Sequence, residues 1–300
     1  MNSKIFSLLT EIIDKEQILC NEPMKGHTSF KIGGNADFVV LPENMKQIKS
    51  LVDMLKENNI RYTVIGNGSN LLVDDEGIRG VVIKIAKNFS NVVVSGNTLI
   101  ARSGVLLSRL ANIALENSLT GLEFASGIPG TLGGAVVMNA GAYGGEMKDV
   151  VTETTFLDGN GDIRTVTGID HGFGYRKSMF DKDCIVLEST LVLSSGNKDE
   201  ISAKMAELNG QRRAKQPLEF PSAGSAFKRP EGYFAAKLIE DAGLKGYKIG
   251  GASVSVKHSG FIVSDGTATC ADVLNLIEHV KAEVLKQFDV ELEPEVRYIK

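Results

Sequence analysis

Two clusters of glycine are the residues whose type and spacing point most directly to chemistry in this sequence. The chain has 32 glycines in 300 residues, and many of them lie in two loops rather than in scattered turns. Glycine adopts positive φ and lets a ligand approach the backbone, so such clusters suit the binding of phosphate groups. A run of tight turns has the same requirement, and clustering alone leaves both interpretations open.

The first loop is Gly66–Asn70 (GNGSN), and it follows the β-rich run Arg61–Ile65. A Rossmann dinucleotide site requires such a loop to open a helix. Here the apolar run Leu71–Val73 follows, which predicts a strand–loop–strand unit instead. Its nest of N–H groups can still bind an anion, with Ser69 and Asn70 as extra donors, although a plain turn would use the same residues.

The second loop is Ala125–Ala135 (ASGIPGTLGGA). Pro129 and Gly130 predict a turn, and Thr131 is placed to cap a short helix. Gly133 and Gly134 are poor helix formers, which indicates that something presses against the backbone there. That neighbour is either a ligand or another segment of the chain.

Three segments must position these loops. Residues 1–88 have the pattern of a small α/β unit, with a helix over Asn44–Asn58 and strands at Arg61–Ile65, Leu71–Val73 and Val81–Ile85. Residues 89–198 combine a helix around Leu107–Leu115 with hairpins at Ser95–Asn97 and Asp158–Gly161, which predicts an antiparallel sheet. A polar linker, Ser194–Asp199, leads to a third segment, residues 199–294, with helices over Glu200–Arg213, Ala235–Ala242 and Cys270–Phe288 and strands near Ser253–Val256 and Phe261–Val263.

The bulk properties exclude several classes of protein. A net charge of −4 argues against a nucleic-acid binder, which needs a basic stripe. The N-terminus has the spacing of an amphipathic helix over Ile5–Ile13 rather than of a signal peptide, and no apolar run has the ~18 residues of a membrane span. Three distant cysteines and four scattered histidines predict a cytoplasmic protein with no disulfide framework and no metal site.

Six stretches of the sequence resemble the motifs of one enzyme family, and they follow one another in the same order as in that family. The strand–GNGSN–strand loop and the SGIPGTxGGA loop about sixty residues later resemble the FAD-binding domain of the vanillyl-alcohol-oxidase and p-cresol-methylhydroxylase (PCMH) type. More narrowly, the chain resembles the UDP-N-acetylenolpyruvoylglucosamine reductase (MurB) family of peptidoglycan synthesis. The matching stretches are Thr28–Gly34, Gly66–Val73, Ser126–Glu146, Phe173–Ser178, Pro221–Pro230 and Glu293–Arg297.

The resemblance implies an α+β fold in which a PCMH-type FAD-binding domain of two subdomains (residues 1–88 and 89–198) precedes a substrate-binding domain. The C-terminal strand 295–300 can return to the first subdomain. FAD would be bound non-covalently and NADPH would be the co-substrate. The residues expected to contact the cofactor are Gly66, Asn67, Gly68, Ser69, Asn70, Leu71, Ser126, Gly127, Pro129, Gly130, Thr131, Gly133, Gly134, Ala135, Asn139, Gly141, Tyr143 and Gly144.

Three catalytic residues follow from the same resemblance. Addition of hydride to the methylene carbon of an enolpyruvyl group leaves negative charge that delocalises into the carboxylate. Fixed cationic or hydrogen-bonding groups stabilise this charge. Arg176 of the FGYRKS stretch matches the family's arginine for this task, since a guanidinium holds a carboxylate with two hydrogen bonds. Ser225 matches its proton donor, and Glu295 matches the glutamate that polarises the substrate, with Glu293 as a nearby competitor.

The substrate of this family is a nucleotide sugar, and its diphosphate needs basic partners. Arg212, Lys215, Lys228 and Arg229 flank Ser225 and are the candidates. At 300 residues the chain resembles the shorter class of the family, which lacks the loop with the substrate-closing tyrosine. The expected partners are therefore small molecules, with the protein a monomer or weak oligomer. A flavin oxidase acting on an alcohol and an inactive nucleotide-binding module are the alternatives.

Overall fold

A computed structural model describes residues 2–181 and 183–300. The described part contains helices α1 (Asn2–Thr10), α2 (Met45–Glu57), α3 (Leu107–Glu116), α4 (Leu132–Met138), α5 (Lys198–Lys215), α6 (Ala235–Asp241) and α7 (Cys270–Phe288). Its strands are β1 (Ile18–Pro23), β2 (Asn35–Val40), β3 (Tyr62–Ile65), β4 (Leu71–Val73), β5 (Ile78–Lys84), β6 (Val92–Ser95), β7 (Thr98–Arg102), β8 (Leu119–Thr120), β9 (Gly141–Ala142), β10 (Gly145–Glu146), β11 (Val151–Leu157), β12 (Ile163–Thr167), β13 (Ile185–Val192), β14 (Ser194–Ser195), β15 (Lys248–Ile249), β16 (Ala252–Val254), β17 (Ile262–Ser264) and β18 (Arg297–Ile299).

The chain forms two compact units. The first comprises the chain up to Cys20 together with Phe38–Asn67 and Gly80–Gln211. The second comprises Asn21–Asp37, Gly68–Arg79 and Arg212–Lys300. The division at residues 88 and 198 that the sequence suggested stays a prediction.

Helix α2 and a four-stranded sheet form one core of the first unit. The sheet has the order β1-β2-β5-β3, with β3 and β5 parallel. Asn44 caps α2 by accepting the N–H of Gln47 at 2.9 Å, and the residues Ile48, Leu51 and Leu55 of its apolar stripe are fully buried. The helix predicted over Asn44–Asn58 is therefore confirmed.

A five-stranded antiparallel sheet forms the other core of this unit. Its order is β12-β11-β13-β7-β6, and both predicted hairpins are present as the pairs β6–β7 and β11–β12. Helices α3 and α4 contribute Leu110 and Leu132 to the same apolar cluster as Leu99 of β7. The glycine-rich second loop lies at the start of α4, so it is fixed by this core.

The second unit is built on α6, α7 and a three-stranded antiparallel sheet of order β15-β16-β17. Thr269 caps helix α7 and forms a capping box with Asp272, and the helix buries Val273, Val280 and Val284. Strand β18 pairs in parallel with β4, the strand that directly follows the first glycine loop. The C-terminal stretch is therefore held beside that loop.

Two local predictions are wrong. Helix α1 ends at Thr10 rather than near Ile13: the N–H groups of Glu11 and Ile12 donate to the carbonyls of Leu8 and Leu9, so the α-helical pattern tightens to i→i−3 bonds there. The supposed linker Ser194–Asp199 contains β14, which pairs with β8. It also holds the start of α5 at Lys198, where Asn197 accepts the N–H of Asp199 at 2.9 Å.

No α-helix within residues 2–181 and 183–300 combines the length and the apolar character that crossing a membrane requires.

Candidate active site

The first glycine loop lies between β3 and β4, as the sequence predicted, and not before a helix. None of the backbone N–H groups of Gly66–Asn70 donates a hydrogen bond to a described residue. Consecutive N–H groups without protein acceptors form a concavity that suits an anion. The loop therefore fits the phosphates of a dinucleotide.

Within the first unit, the two glycine loops touch. A Cβ on Gly66 would lie 2.2 Å from Oγ1 of Thr131, so only glycine fits there. The Asn67 side chain donates from Nδ2 to the carbonyl of Pro129 at 2.7 Å. Gly66 and Asn67 thus serve first to bring the two loops together.

Residues Gly68–Asn70 of the first loop belong to the second unit and are fixed by contacts within it. Gly68 has φ +67°, and a Cβ there would lie 2.0 Å from the carbonyl oxygen of His27. Asn70 donates from Nδ2 to the carbonyl of Glu295 at 3.0 Å and accepts the N–H of Arg297 at 2.9 Å. The loop is therefore tied to two of the stretches that carried the family resemblance.

The two glycines of helix α4 have different surroundings, so a different reason is needed for each. A Cβ on Gly133 would lie 2.8 Å from Cβ of Ser103, so a protein segment presses on it. A Cβ on Gly134 would approach no atom closer than 3.7 Å. Thr131 occupies the N-cap position, but its side chain makes no capping hydrogen bond, so the predicted cap is wrong. Its hydroxyl oxygen instead lies against Gly66.

A buried hydroxyl near Gly133 also needs a partner. Oγ of Ser103 is inaccessible to solvent and has no hydrogen-bond partner among the described residues. Buried polar groups are nearly always hydrogen-bonded, so an unpaired one marks a place where a ligand or water is expected. Ser103 was not identified from the sequence.

Arg176 lies at the tip of a tight hairpin in the first unit. Gly174 donates to the carbonyl of Lys177 at 2.9 Å, and Lys177 donates back at 3.2 Å. Arg176 has φ +54°, a left-handed conformation that costs a non-glycine residue free energy and is concentrated at functional sites. Its Nη2 donates to the carbonyl of Gly141 at 3.2 Å, and its guanidinium lies 5.3 Å from the centre of the Tyr175 ring.

A polar cluster surrounds the base of this hairpin. The fully buried Asn139 donates from Nδ2 to Oε2 of Glu146 and to the carbonyl of Gly174. The Lys148 ammonium, 2.8 Å from Glu146, lowers the pKa of that carboxyl, with smaller contributions from Asn139 and Arg176. The sequence predicted Asn139 as a cofactor contact and did not identify Glu146 or Lys148.

A buried histidine supports the segment before the hairpin. The His171 ring stacks on Phe173 with centroids 4.8 Å apart. Its nitrogens contact the carbonyl of Gly168 at 2.9 Å and the hydroxyl of Thr154 at 3.0 Å. Both ring nitrogens of this histidine therefore have partners within the fold of the first unit. Among the described residues, no group of three His, Cys, Asp or Glu side chains is placed to hold a metal ion.

Ser225 and Glu295 lie on adjacent segments of the second unit. Ser225 pairs with Phe261 in an isolated antiparallel bridge, and Oγ of Ser225 donates to the carbonyl of Phe227 at 3.2 Å. The N–H of Glu295 donates to the carbonyl of Ala226 at 2.9 Å. The structure therefore brings these two predicted catalytic residues together, while Arg176 belongs to the first unit.

The predicted substrate contacts have different surroundings. Arg212 and Lys215 lie in the last turn of α5. Lys228 forms an ion pair with Glu293, the competitor of Glu295. Arg229 donates from Nε to the carbonyl of Tyr233 at 3.2 Å, and its guanidinium lies 3.9 Å from the centre of the exposed Phe234 ring. Aromatic residues 233 and 234 were not identified from the sequence.

The glycine loops and the α+β fold agree with two family models, which define the class of protein as a flavin-binding oxidoreductase. Residues 36–167 match the family described as FAD binding domain. Residues 216–299 match the C-terminal domain of UDP-N-acetylenolpyruvoylglucosamine reductase.

Relatives over nearly the whole chain narrow this class to one family. The chain is 54% identical over 292 residues to UDP-N-acetylenolpyruvoylglucosamine reductase of Caldanaerobacter subterraneus subsp. tengcongensis, which covers 97% of this chain and 96% of that protein. It is also 54% identical to the Alkaliphilus oremlandii protein of the same name, with 99% and 98% covered. A crystal structure of this reductase from Thermus caldophilus superposes with a TM-score of 0.81 at 35% identity, covering 94% of this chain and 98% of that one. The chain belongs to the UDP-N-acetylenolpyruvoylglucosamine reductase family, and the resemblance inferred from the sequence and the predicted α+β fold class are confirmed.

Proposed function

We propose that this chain uses NADPH and bound FAD to reduce the enolpyruvyl group of UDP-N-acetylglucosamine enolpyruvate, giving UDP-N-acetylmuramate. The observation that carries the proposal is 54% identity over 97% of the chain to a protein named for this reaction. Identity of this degree extends over nearly the whole chain and therefore supports a shared reaction, whereas a shared fold alone would not specify one.

The cofactor is held by the two glycine loops. The free N–H groups of Gly66–Asn70 would bind the pyrophosphate, and the open backbone at Gly134 would let the cofactor approach α4. When bound, FAD would supply hydride chemistry: NADPH would reduce the flavin, and the reduced flavin would pass a hydride to the methylene carbon of the substrate. The other predicted contacts lie in Ser126–Ala135, which leads into α4, and in Gly141–Gly144, which follows that helix.

Arg176 stabilises the negative charge that hydride addition places on the substrate carboxylate. Its hairpin tip has a strained, left-handed backbone, and a planar guanidinium can hold a carboxylate through two parallel hydrogen bonds. A donor that is fixed before the reaction does not have to reorganise as charge develops, which is the main source of such stabilisation.

Ser225 donates the proton that completes the reduction at the α-carbon. Its hydroxyl donates in the structure to the carbonyl of Phe227 at 3.2 Å, a long and therefore weak O–H···O bond. The hydroxyl can leave this acceptor at little cost and turn to a substrate carbon. Glu295, on the neighbouring segment, polarises the enolpyruvyl group.

The diphosphate of the nucleotide sugar is assigned to the basic residues of the second unit. Arg212, Lys215 and Arg229 supply positive charge, and Lys228 supplies positive charge that its ion pair with Glu293 partly neutralises. We place the enzyme in the cytoplasm as a monomer or weak oligomer that acts on small molecules. Its three thiols are all free, which agrees with a reducing compartment.

The experiment follows the flavin spectrum of the purified protein without oxygen. NADPH should bleach the flavin absorption, and UDP-N-acetylglucosamine enolpyruvate should then restore it. If the protein purifies without flavin and binds none on titration, the proposal is contradicted. That result would favour the alternative that the chain is an inactive nucleotide-binding module. A flavin that NADPH reduces but only oxygen reoxidises would favour the alcohol oxidase, which the full-length identities to named reductases do not favour.

A further inference from the structure

We propose that Asn139 is a positioning residue that holds the Arg176 hairpin in place, and that its side chain does not touch the cofactor. This inference rests on the proposed function, because it assigns Asn139 to the same reductive step as Arg176. It differs from the sequence-based expectation, which placed Asn139 among the FAD contacts.

The side chain of Asn139 has no hydrogen-bond donor left for a ligand. It is fully buried, and Nδ2 donates to Oε2 of Glu146 at 2.9 Å and to the carbonyl of Gly174 at 3.0 Å. Its Oδ1 accepts the N–H of Lys148 at 2.9 Å. A carboxamide has two N–H donors, so both are used within the protein.

The backbone at this position explains why asparagine is suitable. Asn139 ends α4 with φ 42° and ψ 55°, a left-handed conformation that asparagine tolerates better than most residues. Glycine would fit the backbone but would lack the amide. Aspartate would keep the shape but would present an acceptor to Glu146 and to the Gly174 carbonyl.

Asn139 donates to the carbonyl of Gly174, which precedes Arg176 by two residues in the sequence. The same carbonyl accepts the N–H of Lys177 at 3.2 Å, so it closes the hairpin and also ties it to α4. A second tie runs from the Arg176 guanidinium to Gly141, two residues after Asn139, at 3.2 Å. These two hydrogen bonds hold the hairpin against the end of α4 and the loop that follows it. They therefore set the direction in which the Arg176 guanidinium points.

A third tie keeps the hairpin folded without Asn139. Oγ of Ser178 donates to the carbonyl of Val137 at 2.8 Å, beyond the other end of the hairpin. Loss of the Asn139 amide should therefore shift the tip rather than unfold it. A displacement of about 1 Å at a catalytic group lowers a rate by roughly 100-fold.

The test is a double-mutant cycle with Asn139→Gly and Arg176→Ala, measured as separate half-reactions. Asn139→Gly should keep flavin reduction by NADPH and the FAD dissociation constant, and should slow reoxidation by the enolpyruvyl substrate by roughly 10- to 100-fold. In the Arg176→Ala background the same change should alter reoxidation by less than about twofold, since it acts only through that side chain. Asn117→Ala is the matched control, because Asn117 donates to the carbonyl of Ile113 at the end of α3 and should change neither half-reaction.

Hydrogen exchange gives a measurement that needs no substrate. The N–H groups of Gly174 and Lys177 should exchange faster in Asn139→Gly than in the unmodified protein, with no change at α7. Loss of FAD from the variant, equal slowing in both backgrounds, or unchanged exchange at the hairpin would each overturn the inference. If the unmodified enzyme is not reoxidised by the enolpyruvyl sugar, the proposed function fails instead, and the exchange result still decides the role of Asn139.

Discussion

Contact between the two glycine loops can be measured through Gly66 and Thr131. Gly66→Ala places a Cβ 2.2 Å from Oγ1 of Thr131, well inside the 3.0 Å that real contacts respect. Thr131 is only 2% exposed and short, so it cannot swing away. Overpacking of this kind costs about 1–3 kcal/mol of the free energy of unfolding.

The structure also predicts how this cost is removed. Thr131→Ala deletes Oγ1, and the nearest remaining atom, the Cβ of residue 131, would lie 3.4 Å from the new methyl group, an ordinary contact. Gly66→Ala should then cost close to nothing in the Thr131→Ala background. The expected coupling free energy between the two positions is therefore about 1–3 kcal/mol.

The assay is urea unfolding of the flavin-free protein, followed by circular dichroism because the chain has no tryptophan. Gly144→Ala is the control, since a Cβ there meets no atom within 4 Å and its φ of +88° should cost the same with or without Thr131 Oγ1. If Gly66→Ala costs equally in both backgrounds, the loops do not touch and the argument is refuted.

Three further predictions concern the proposed catalytic groups. Ser225→Ala should keep NADPH-driven flavin reduction and lose reoxidation by substrate in stopped-flow absorbance; equal loss of both half-reactions would count against a proton donor. Arg176→Gly should be more stable to urea than Arg176→Ala by about 1–2 kcal/mol, because φ +54° is costly only for residues with a Cβ; equal stabilities would contradict the left-handed tip. The pKa of Glu146 is lowered in the folded protein, chiefly by Lys148, so its stabilisation is present above the ordinary value of 4.5 and lost as pH falls through the lowered pKa. Melting temperatures of Glu146→Gln should therefore fall less steeply in acid than those of the unmodified protein, and parallel curves would refute the assignment.

The first loop could be predicted from the sequence because its signals are local. A β-rich run, GNGSN and an apolar run follow one another within thirteen residues, and the structure places β3, the loop and β4 there. The same holds for α2, whose apolar spacing and Asn44 cap are read from adjacent residues. The identities of neighbouring residues were therefore sufficient to predict these elements.

The surroundings of Arg176 could not be predicted because they depend on distant residues. Arginine has no preference for positive φ, so nothing in FGYRKS indicates the left-handed tip. The ties from Asn139 and Gly141 join positions 35 residues apart in sequence. The predicted cap by Thr131 was wrong for the same reason, since its hydroxyl oxygen lies against Gly66, 65 positions earlier.

The sequence left open whether a ligand or another segment of the chain requires the two glycines of α4. The structure gives a different answer for each glycine. Gly133 is required by Ser103, whose Cβ would be 2.8 Å from an added methyl group, so this glycine serves the fold. Gly134 lies in the same helix, and an added Cβ would meet nothing closer than 3.7 Å. Because alanine is favoured over glycine in a helix by about 0.8–1 kcal/mol, the fold alone gives no reason for glycine at 134.

Gly134→Ala should therefore raise the stability of the flavin-free protein by about 1 kcal/mol and weaken FAD binding by tenfold or more, roughly the factor that 1.4 kcal/mol of overlap produces. Gly210→Ala is the matched control, since Gly210 is also helical, meets no atom within 4 Å, and should stabilise without changing FAD affinity. Urea unfolding and flavin titration measure the two effects. A Gly134→Ala variant that binds FAD as tightly as the unmodified protein would show that the cofactor does not approach this helix, and the open backbone would then be an accident of packing.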